Sequence, residues 1–139
     1  MPKTFNVIWV HIVFSTKERV PYLNWHIRGS VCEWIKNEAI GQDIYVDIVN
    51  GHNDHLHVLL KLKPTQNVAE VVGWIKGGSS KWLNDHFSWE KRFAWQEGYG
   101  VFSVSPKDVI KVRKYIYEQE SHHKDKTYSY EINELIKKN

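Results

Sequence analysis

The fold of this chain is decided by the stretch GHNDHLHVLLKL, residues 51–62. Asn50-Gly51 is a strong hairpin signal, and the apolar run that follows has the length and composition of a strand. Because side chains alternate faces along a strand, His55 and His57 share one face and the aliphatic side chains between and after them mostly share the other. Two such imidazoles can reach a single cation, although a His-x-His pair is more often two half-exposed surface histidines. A working metal centre needs at least a third ligand.

Hydrophobic periodicity on either side of this stretch predicts the element order β-α-β-β-α-β and then a third helix. The predicted strands are residues 5–15, residues 43–49, the His-x-His strand, which Pro64 closes, and residues 93–104, which contain a bend or bulge at Gly-Tyr-Gly. The predicted helices are residues 22–40, 68–84 and 105–121. This order is that of a ferredoxin-like (RRM-like) α+β sandwich, an antiparallel sheet with two helices on one face. The third helix is then free to pack over the histidine face.

The domain organisation predicted is one domain over residues 1–139, because no repeat, linker or low-complexity tract interrupts it. Residues 122–139 form a polar tail in which Glu131–Lys137 predicts a loose terminal helix. Within the second helix, Gly77-Gly78 weakens the helical pattern.

The composition excludes a disulfide-stabilised or membrane-spanning chain. Cys32 is the one cysteine, and it is interpreted as a small buried hydrophobe in a reducing compartment, which predicts a cytoplasmic protein. Residues 1–14 have the pattern of neither a signal peptide nor a membrane span. The net charge is only +3, so local basic clusters matter more than the total. From them we take Lys76, Lys81, Lys111 and Lys114 as candidate DNA-binding residues.

The third predicted helix carries two polar residues one turn apart. A step of about 100° per residue places Tyr115 and Gln119 on one stripe, beside a buried stripe formed by Val109, Val112 and Ile116. If Gln119 reaches a cation held by the histidine pair, the Tyr115 hydroxyl arrives beside the same cation. A Gln oxygen suits Mg²⁺ or Mn²⁺. The alternative, and the commoner fate of such residues, is a tyrosine at the rim of the core and a solvated glutamine.

Several motifs together resemble a known family over nearly the whole chain. They are HIVFSTK at 11–17, DHLH at 54–57, WQEGYGVFSVS at 95–105, and Tyr115-Ile116-x-x-Gln119 followed by His122-His123. In this combination the chain resembles the single-tyrosine transposases of the smallest bacterial and archaeal insertion sequences, within the HUH (His-hydrophobe-His) nucleases.

The resemblance implies a transposase that cuts and rejoins single-stranded DNA through a 5′-phosphotyrosine. His55, His57 and Gln119 would then bind Mg²⁺ or Mn²⁺, and Tyr115 would be the nucleophile. The implied partners are a DNA hairpin at the element ends and a second copy of the chain, in a homodimer whose composite sites place the tyrosine helix on the partner's histidine face. No membrane is implied. Tyr117 is the rival nucleophile, but the helical step places it about 160° from Gln119.

Other functions share parts of this pattern. The main alternative from another class is a non-catalytic module that binds single-stranded nucleic acid on an RRM-like fold, which would present aromatic side chains on the open sheet face. That face carries His55 and His57 instead. A replication initiator or plasmid relaxase would share the histidine pair in a larger chain, and an inactive domesticated transposase would share the whole pattern.

Overall fold

The structure is a computed structural model that describes residues 4–122, with the side chains of 121 and 122 excepted, and residues 126–138. His123 of the predicted motif therefore lies outside the described residues. The elements are β1 (Ile8–Ser15), α1 (Trp25–Gly41), β2 (Tyr45–His52), β3 (His55–Leu62), α2 (Val68–His86), β4 (Gly100–Val104), α3 (Val109–Tyr117), α4 (Gln119–His122) and α5 (Tyr128–Lys138). Short 3₁₀ turns lie at Lys17–Arg19 and Pro106–Asp108.

The sheet confirms the predicted ferredoxin-like architecture. Its 4 strands are antiparallel in the order β2-β3-β1-β4, so the His-x-His strand occupies a central position. Between the two central strands, Val13 pairs with His57 and Ser15 pairs with His55. A central strand has neighbours on both edges and layers on both faces, which is why β3 is almost entirely buried.

The main core lies between one face of the sheet and the helices α1 and α2. Its sheet residues alternate along the strands as predicted, and its helical residues recur at three and four positions: Val10, Ile12, Phe14, Leu56, Val58 and Leu60 from the sheet, and Val31, Ile35, Val72, Ile75 and Leu83 from the helices. The helix α2 runs through Gly77-Gly78 without a break. Gly78 makes room for Trp34, since a Cβ at Gly78 would lie 2.9 Å from the indole Cη2.

The hairpin turn is not where the sequence predicted it. Asn50 and Gly51 belong to β2 and pair with His57 and Leu56, and the turn falls at residues 53–54. A Cβ at Gly51 would lie 2.0 Å from the backbone oxygen of His55. The glycine therefore serves the close approach of two strands, not a turn, and the Asn-Gly signal was wrong by three residues.

The fourth strand is shorter than the predicted 93–104. It begins only at Gly100, and Trp95 makes an isolated bridge to Thr16. Gly98 turns the chain with a φ of 85°, a conformation that glycine adopts without strain. The ammonium of Lys76 donates 2.8 Å hydrogen bonds to the carbonyls of Gln96 and Gly98, which satisfies backbone groups that a strand would have paired.

Three other predicted boundaries move by a few residues. β1 begins at Ile8 and not at residue 5, β2 spans Tyr45–His52 and not 43–49, and α1 begins at Trp25 and not at residue 22. The helix starts there because Asn24 is its N-cap, accepting a 3.0 Å hydrogen bond from the backbone N–H of Ile27.

The opposite face of the sheet is covered by α3, as the sequence predicted. A second, smaller apolar cluster joins Leu59 of the sheet to Val109 and Ile116 of the helix. The predicted single helix over 105–121 is wrong, because α3 ends at Tyr117 and α4 follows after a break at residue 118. The Asn50 amide donates to the carbonyls of Ile116 and Tyr117 at 3.0 and 3.1 Å, which satisfies groups that a continuous helix would have paired internally.

Among residues 4–122 and 126–138, no helix has the length and apolar character that crossing a membrane requires.

Candidate active site

The two histidines of β3 lie side by side in the interior. His55 and His57 are both fully buried, with ring centroids 5.1 Å apart. Their Nε2 atoms lie 3.0 and 3.1 Å from the same carboxylate oxygen, Oε1 of Glu131. The shared face predicted from strand alternation is thus confirmed, and the alternative of two half-exposed surface histidines is wrong.

The second nitrogen of each imidazole is held by a different neighbour. Nδ1 of His55 lies 2.7 Å from Oδ1 of Asp54, and Nδ1 of His57 lies 2.7 Å from Nε2 of His11. Burial opposes protonation of His55, but the hydrogen bonds and charges of Asp54 and Glu131 outweigh it and raise the pKa of His55. Burial, assisted by the nearby His57, lowers the pKa of His11 to about 3, so His11 is neutral at physiological pH. Such partners orient imidazoles that bind metals.

Tyr115 and Gln119 reach the same place from α3 and α4. The Gln119 side chain is fully buried, its Oε1 lies 3.1 Å from Nε2 of His55, and its amide donates a 2.7 Å hydrogen bond to Oε2 of Glu131. The Tyr115 hydroxyl donates to the same Oε2, and its ring centroid lies 5.8 Å from that of His57. Burial, followed by the hydrogen bond and charge of Glu131, raises the pKa of Tyr115.

The two candidate tyrosines lie on the sides of the helix that the predicted helical phase gives them. Tyr117 is 74% exposed, whereas Tyr115 is partly buried over the site. The solvated-glutamine alternative is excluded by the burial of Gln119. These positions agree with the geometry predicted for a shared cation, with all groups coming from one chain.

Sequence reasoning missed Glu131 as a site residue, as it missed His11. Glu131 was assigned to a loose terminal helix, yet it is only 5% exposed and meets both histidines, Gln119 and Tyr115. The available signal was the spacing of Tyr128, Ile132 and Leu135, which gives α5 one apolar stripe. The Tyr128 ring lies 4.7 Å from the His55 ring, and burial is the main cause that raises its pKa to about 12.

The donor atoms in this cluster fit a divalent cation. His55, His57 and Glu131 each offer one ligand atom, and the three atoms lie within 4.8 Å of one another. The Gln119 oxygen lies beside them. Imidazole nitrogens together with carboxylate and amide oxygens form a mixed set that Mn²⁺ or Mg²⁺ can accept, so the residues present fit the metal that the resemblance implies.

A cleft of about 570 Å³ opens beside the cluster, between β4, α3 and α5. His11, Phe102, Tyr115 and Glu131 line its inner part, and lysines line its walls: Lys111, Lys126 and Lys138. A cleft that combines lysines with aromatic rings and reaches the tyrosine has groups that can contact a nucleotide and its phosphate.

The four lysines predicted from charge clusters lie in different places. Lys111 lines the cleft, and Lys114 is exposed on the same helix. Lys76 is engaged with two backbone carbonyls, and it lines a separate hollow together with Lys17 and Arg92. Lys81 forms a 2.6 Å ion pair with Asp85 on the surface of α2. Of the four, Lys111 is the one that lines the cleft beside the site.

A ferredoxin-like sheet that carries a buried His-hydrophobe-His pair beneath a tyrosine-bearing helix is the arrangement expected of the DNA transposases that the sequence resembles. The family described as "Transposase IS200 like" matches residues 4–119. The chain therefore belongs to the IS200-like transposases, a family that cuts and transfers DNA in transposition.

Individual relatives agree with this assignment. The transposase for insertion sequence element IS200 of Salmonella typhimurium is 29% identical over 114 residues, covering 78% of this chain and 74% of that protein. The IS200 transposase of Salmonella typhi matches with the same values.

Two solved structures share the fold. A putative transposase from Deinococcus radiodurans superposes with a TM-score of 0.68 at 21% identity, covering 86% of this chain and 98% of that one. A REP-associated tyrosine transposase bound to a REP hairpin superposes with a TM-score of 0.59 at 15% identity, covering 89% of this chain and 75% of that one.

Proposed function

We propose that the protein is a metal-dependent transposase that cleaves and rejoins single-stranded DNA through a 5′-phosphotyrosine on Tyr115. One observation carries the proposal: the Tyr115 hydroxyl and the ring nitrogens of His55 and His57 meet at one buried carboxylate, that of Glu131. A nucleophile and a candidate metal site are thereby within reach of one phosphate. Membership of the IS200-like family supplies the reaction class.

The proposed substrate is a single strand that carries a hairpin at the element ends. The support is chemical and comparative: a cleft with lysine and aromatic side chains reaches Tyr115, and one protein of the same fold is bound to a REP hairpin. Lysines would neutralise phosphates, and exposed aromatic rings would stack on unpaired bases. The cytoplasm is the proposed place of action, since a DNA substrate and the free thiol of Cys32 both suit it.

The reaction exchanges one phosphoester for another. Oη of Tyr115 attacks the scissile phosphorus, a bond forms between that oxygen and phosphorus, and the bond from phosphorus to the 3′ oxygen breaks. Oε2 of Glu131, to which the hydroxyl already donates, takes the tyrosine proton, and this one proton is passed on, directly or through solvent, to the departing 3′ oxygen, which leaves as a 3′-OH. Because bond energy is conserved in the phosphotyrosine, rejoining needs no ATP: a 3′-OH attacks and releases Tyr115.

The Tyr115 phenol is a weak nucleophile by itself, because its pKa is raised by burial and by the neighbouring carboxylate. His55, His57 and Gln119 would hold Mg²⁺ or Mn²⁺, which would polarise the scissile phosphate and offset its developing charge. The chain's own part is to orient those ligands through Asp54 and His11.

We also propose, as the family resemblance implies, that the transposase acts as a homodimer with composite sites, in which the contacts that Tyr115 and Gln119 make within one chain in this structure are made to the partner's histidine face instead. Mixing Tyr115→Phe protein with His57→Ala protein under subunit exchange tests the sharing. A composite dimer regains one working site, because one pair of complementary intact groups then meets across the interface. Sites built within single chains regain nothing, and that result would refute the sharing and leave the same-chain arrangement.

The experiment that tests the function uses labelled single-stranded DNA from the flanks of the protein's own gene. The protein is incubated with it, with and without Mn²⁺, and a covalent adduct is sought on a denaturing gel. We expect an adduct only with the metal. Tight DNA binding without any adduct would reject the transposition chemistry and favour a non-catalytic single-strand-binding module.

A further inference from the structure

The C-terminal helix places an acid where acids are rarely found. Glu131 is 5% exposed, and α5 inserts it above the two histidines of β3. Burying a carboxylate is costly unless it is paired with other groups or bound to a metal. A helix that served only to cover the sheet would present an aliphatic residue at this position, so the contacts of this carboxylate show what it is there for.

The two oxygens of this carboxylate have different surroundings. Oε2 accepts hydrogen bonds from the Tyr115 hydroxyl and from the Gln119 amide, the latter at 2.7 Å. Oε1 lies 3.0 Å from a ring nitrogen of His55 and 3.1 Å from one of His57. One oxygen is therefore fixed by donors, and that contact aims the other between the histidines.

The two histidines direct ring nitrogens to the same point. Nδ1 of His55 is engaged by Asp54 and Nδ1 of His57 by His11, which leaves the two Nε2 atoms directed at Oε1 of Glu131. The Gln119 oxygen also lies 3.1 Å from Nε2 of His55. Two ring nitrogens and two oxygens that converge on one point form a ligand set that a shared cation can satisfy.

We infer that Glu131 is itself a ligand of the metal, so that α5 completes a centre made of His55, His57, Gln119 and Glu131. The inference rests on the proposed function, which supplies the metal and three neutral ligands. Glu131 adds the one negative charge among the four, and carboxylate oxygen is the ligand that Mn²⁺ and Mg²⁺ favour. Its other oxygen holds the Tyr115 hydroxyl, so the same side chain links the metal to the nucleophile.

Mn²⁺ affinity, measured by calorimetry and by loss of the free-ion EPR signal on the full chain without DNA, tests the inference independently of cleavage. The variant is Glu131→Gln, which keeps the shape and removes the charge. We expect it to bind Mn²⁺ at least about tenfold more weakly, since even groups that only support metal ligands change affinity by that much. Glu131→Asp restores the charge on a shorter side chain and should recover part of the affinity.

Two controls make the result specific. Glu134→Gln removes the same charge from the next turn of α5, where the carboxylate lies 3.9 Å from Lys137, and it should leave Mn²⁺ affinity unchanged. His57→Ala should lose Mn²⁺ binding if the proposed metal site is right. Circular dichroism and unfolding midpoints establish that each variant is folded before binding is measured.

Each contrary outcome is decisive. If His57→Ala loses Mn²⁺ while Glu131→Gln binds as tightly as the wild type, the inference is overturned and the proposed function stands. Tighter binding by Glu131→Gln would also overturn it, because the carboxylate would then compete with the metal. Equal losses of Mn²⁺ affinity in Glu131→Gln and Glu134→Gln would also overturn it, because the effect would then come from the overall charge of α5 and not from a bond between Glu131 and the metal. A wild-type chain without Mn²⁺ affinity would overturn both the inference and the metal requirement of the proposed function.

Discussion

Nε2 of His11 lies 2.7 Å from Nδ1 of His57, a contact between two buried imidazoles on neighbouring strands. His57 can offer its Nε2 lone pair to a cation only if its proton is on Nδ1. His11 is held neutral by burial, since its pKa falls to about 3, so its Nε2 can accept a hydrogen bond from that Nδ1–H. The contact is therefore compatible with the His57 tautomer that metal binding requires.

His11→Leu should therefore weaken Mn²⁺ binding by about 10- to 100-fold, although His11 lies outside the ligand set. His11→Gln offers an amide oxygen as acceptor to His57, so its Mn²⁺ affinity should fall by less. Calorimetry on the two folded variants measures the difference. Equal affinity in His11→Leu and the wild type would mean that the His57 ring is oriented by packing alone.

Tyr115→Phe should abolish the covalent adduct and leave the fold intact. The substitution removes the attacking oxygen without creating a cavity, and loss of its hydrogen bond to Glu131 should cost about 1–2 kcal/mol of unfolding free energy. Tyr117→Phe is the matched control, because Tyr117 is 74% exposed on the same helix, and it should form adduct like the wild type. Peptide mapping of the trapped adduct decides between them, and nucleotide found on Tyr117 would refute the assignment.

The adjacent glycines of α2 should respond oppositely to alanine. Gly77→Ala should stabilise the protein by up to about 1 kcal/mol, since a Cβ there meets no atom within 4 Å and alanine favours the helix. Gly78→Ala should not be stabilised in this way, because its Cβ would lie 2.9 Å from the Trp34 ring, and the ring would have to shift. Urea unfolding followed by tryptophan fluorescence compares the two, and equal stabilisation would show that the Trp34 ring moves at no cost.

The thiol of Cys32 should react slowly in the folded protein. Burial raises its pKa from 9.0 to about 12, and only the thiolate is nucleophilic. Alkylation at pH 8 should be at least about 100-fold slower in the native protein than in urea. Between these two pKa values the native thiol keeps its proton while the unfolded one loses it. The stabilisation of the native state by the protonated thiol is therefore complete below pH 9.0 and declines as the pH rises toward about 12. Comparable native and unfolded rates would contradict the burial.

How much of this site the sequence predicts depends on the range of the interaction. Strand alternation placed His55 and His57 on one face, and helical phase placed Tyr115 and Gln119 together and turned Tyr117 away; the structure confirms both. These are properties of a few consecutive residues, because the repeat of a strand or helix fixes where neighbouring side chains point.

Local signals failed where tertiary contacts compete with them. Asn-Gly at residues 50–51 predicts a turn, but Gly51 is needed for the close approach of β2 to β3, so the turn moves to residues 53–54. The continuous third helix is interrupted because Asn50 takes the carbonyls of Ile116 and Tyr117. A backbone group is satisfied by whichever partner the packed chain brings nearest, and sequence spacing does not reveal that partner.

The sequence by itself determined the ferredoxin-like order of elements and the two faces that carry the histidines and the tyrosine. Only the tertiary structure decided that Glu131 and His11 belong to the site. Glu131 is 74 residues from His57 and His11 is 46 residues from it, and no repeat relates positions so far apart. Their meeting depends on how β1 pairs with β3 and how α5 packs over the sheet, because a buried carboxylate or imidazole is stable only where the folded chain supplies its partners.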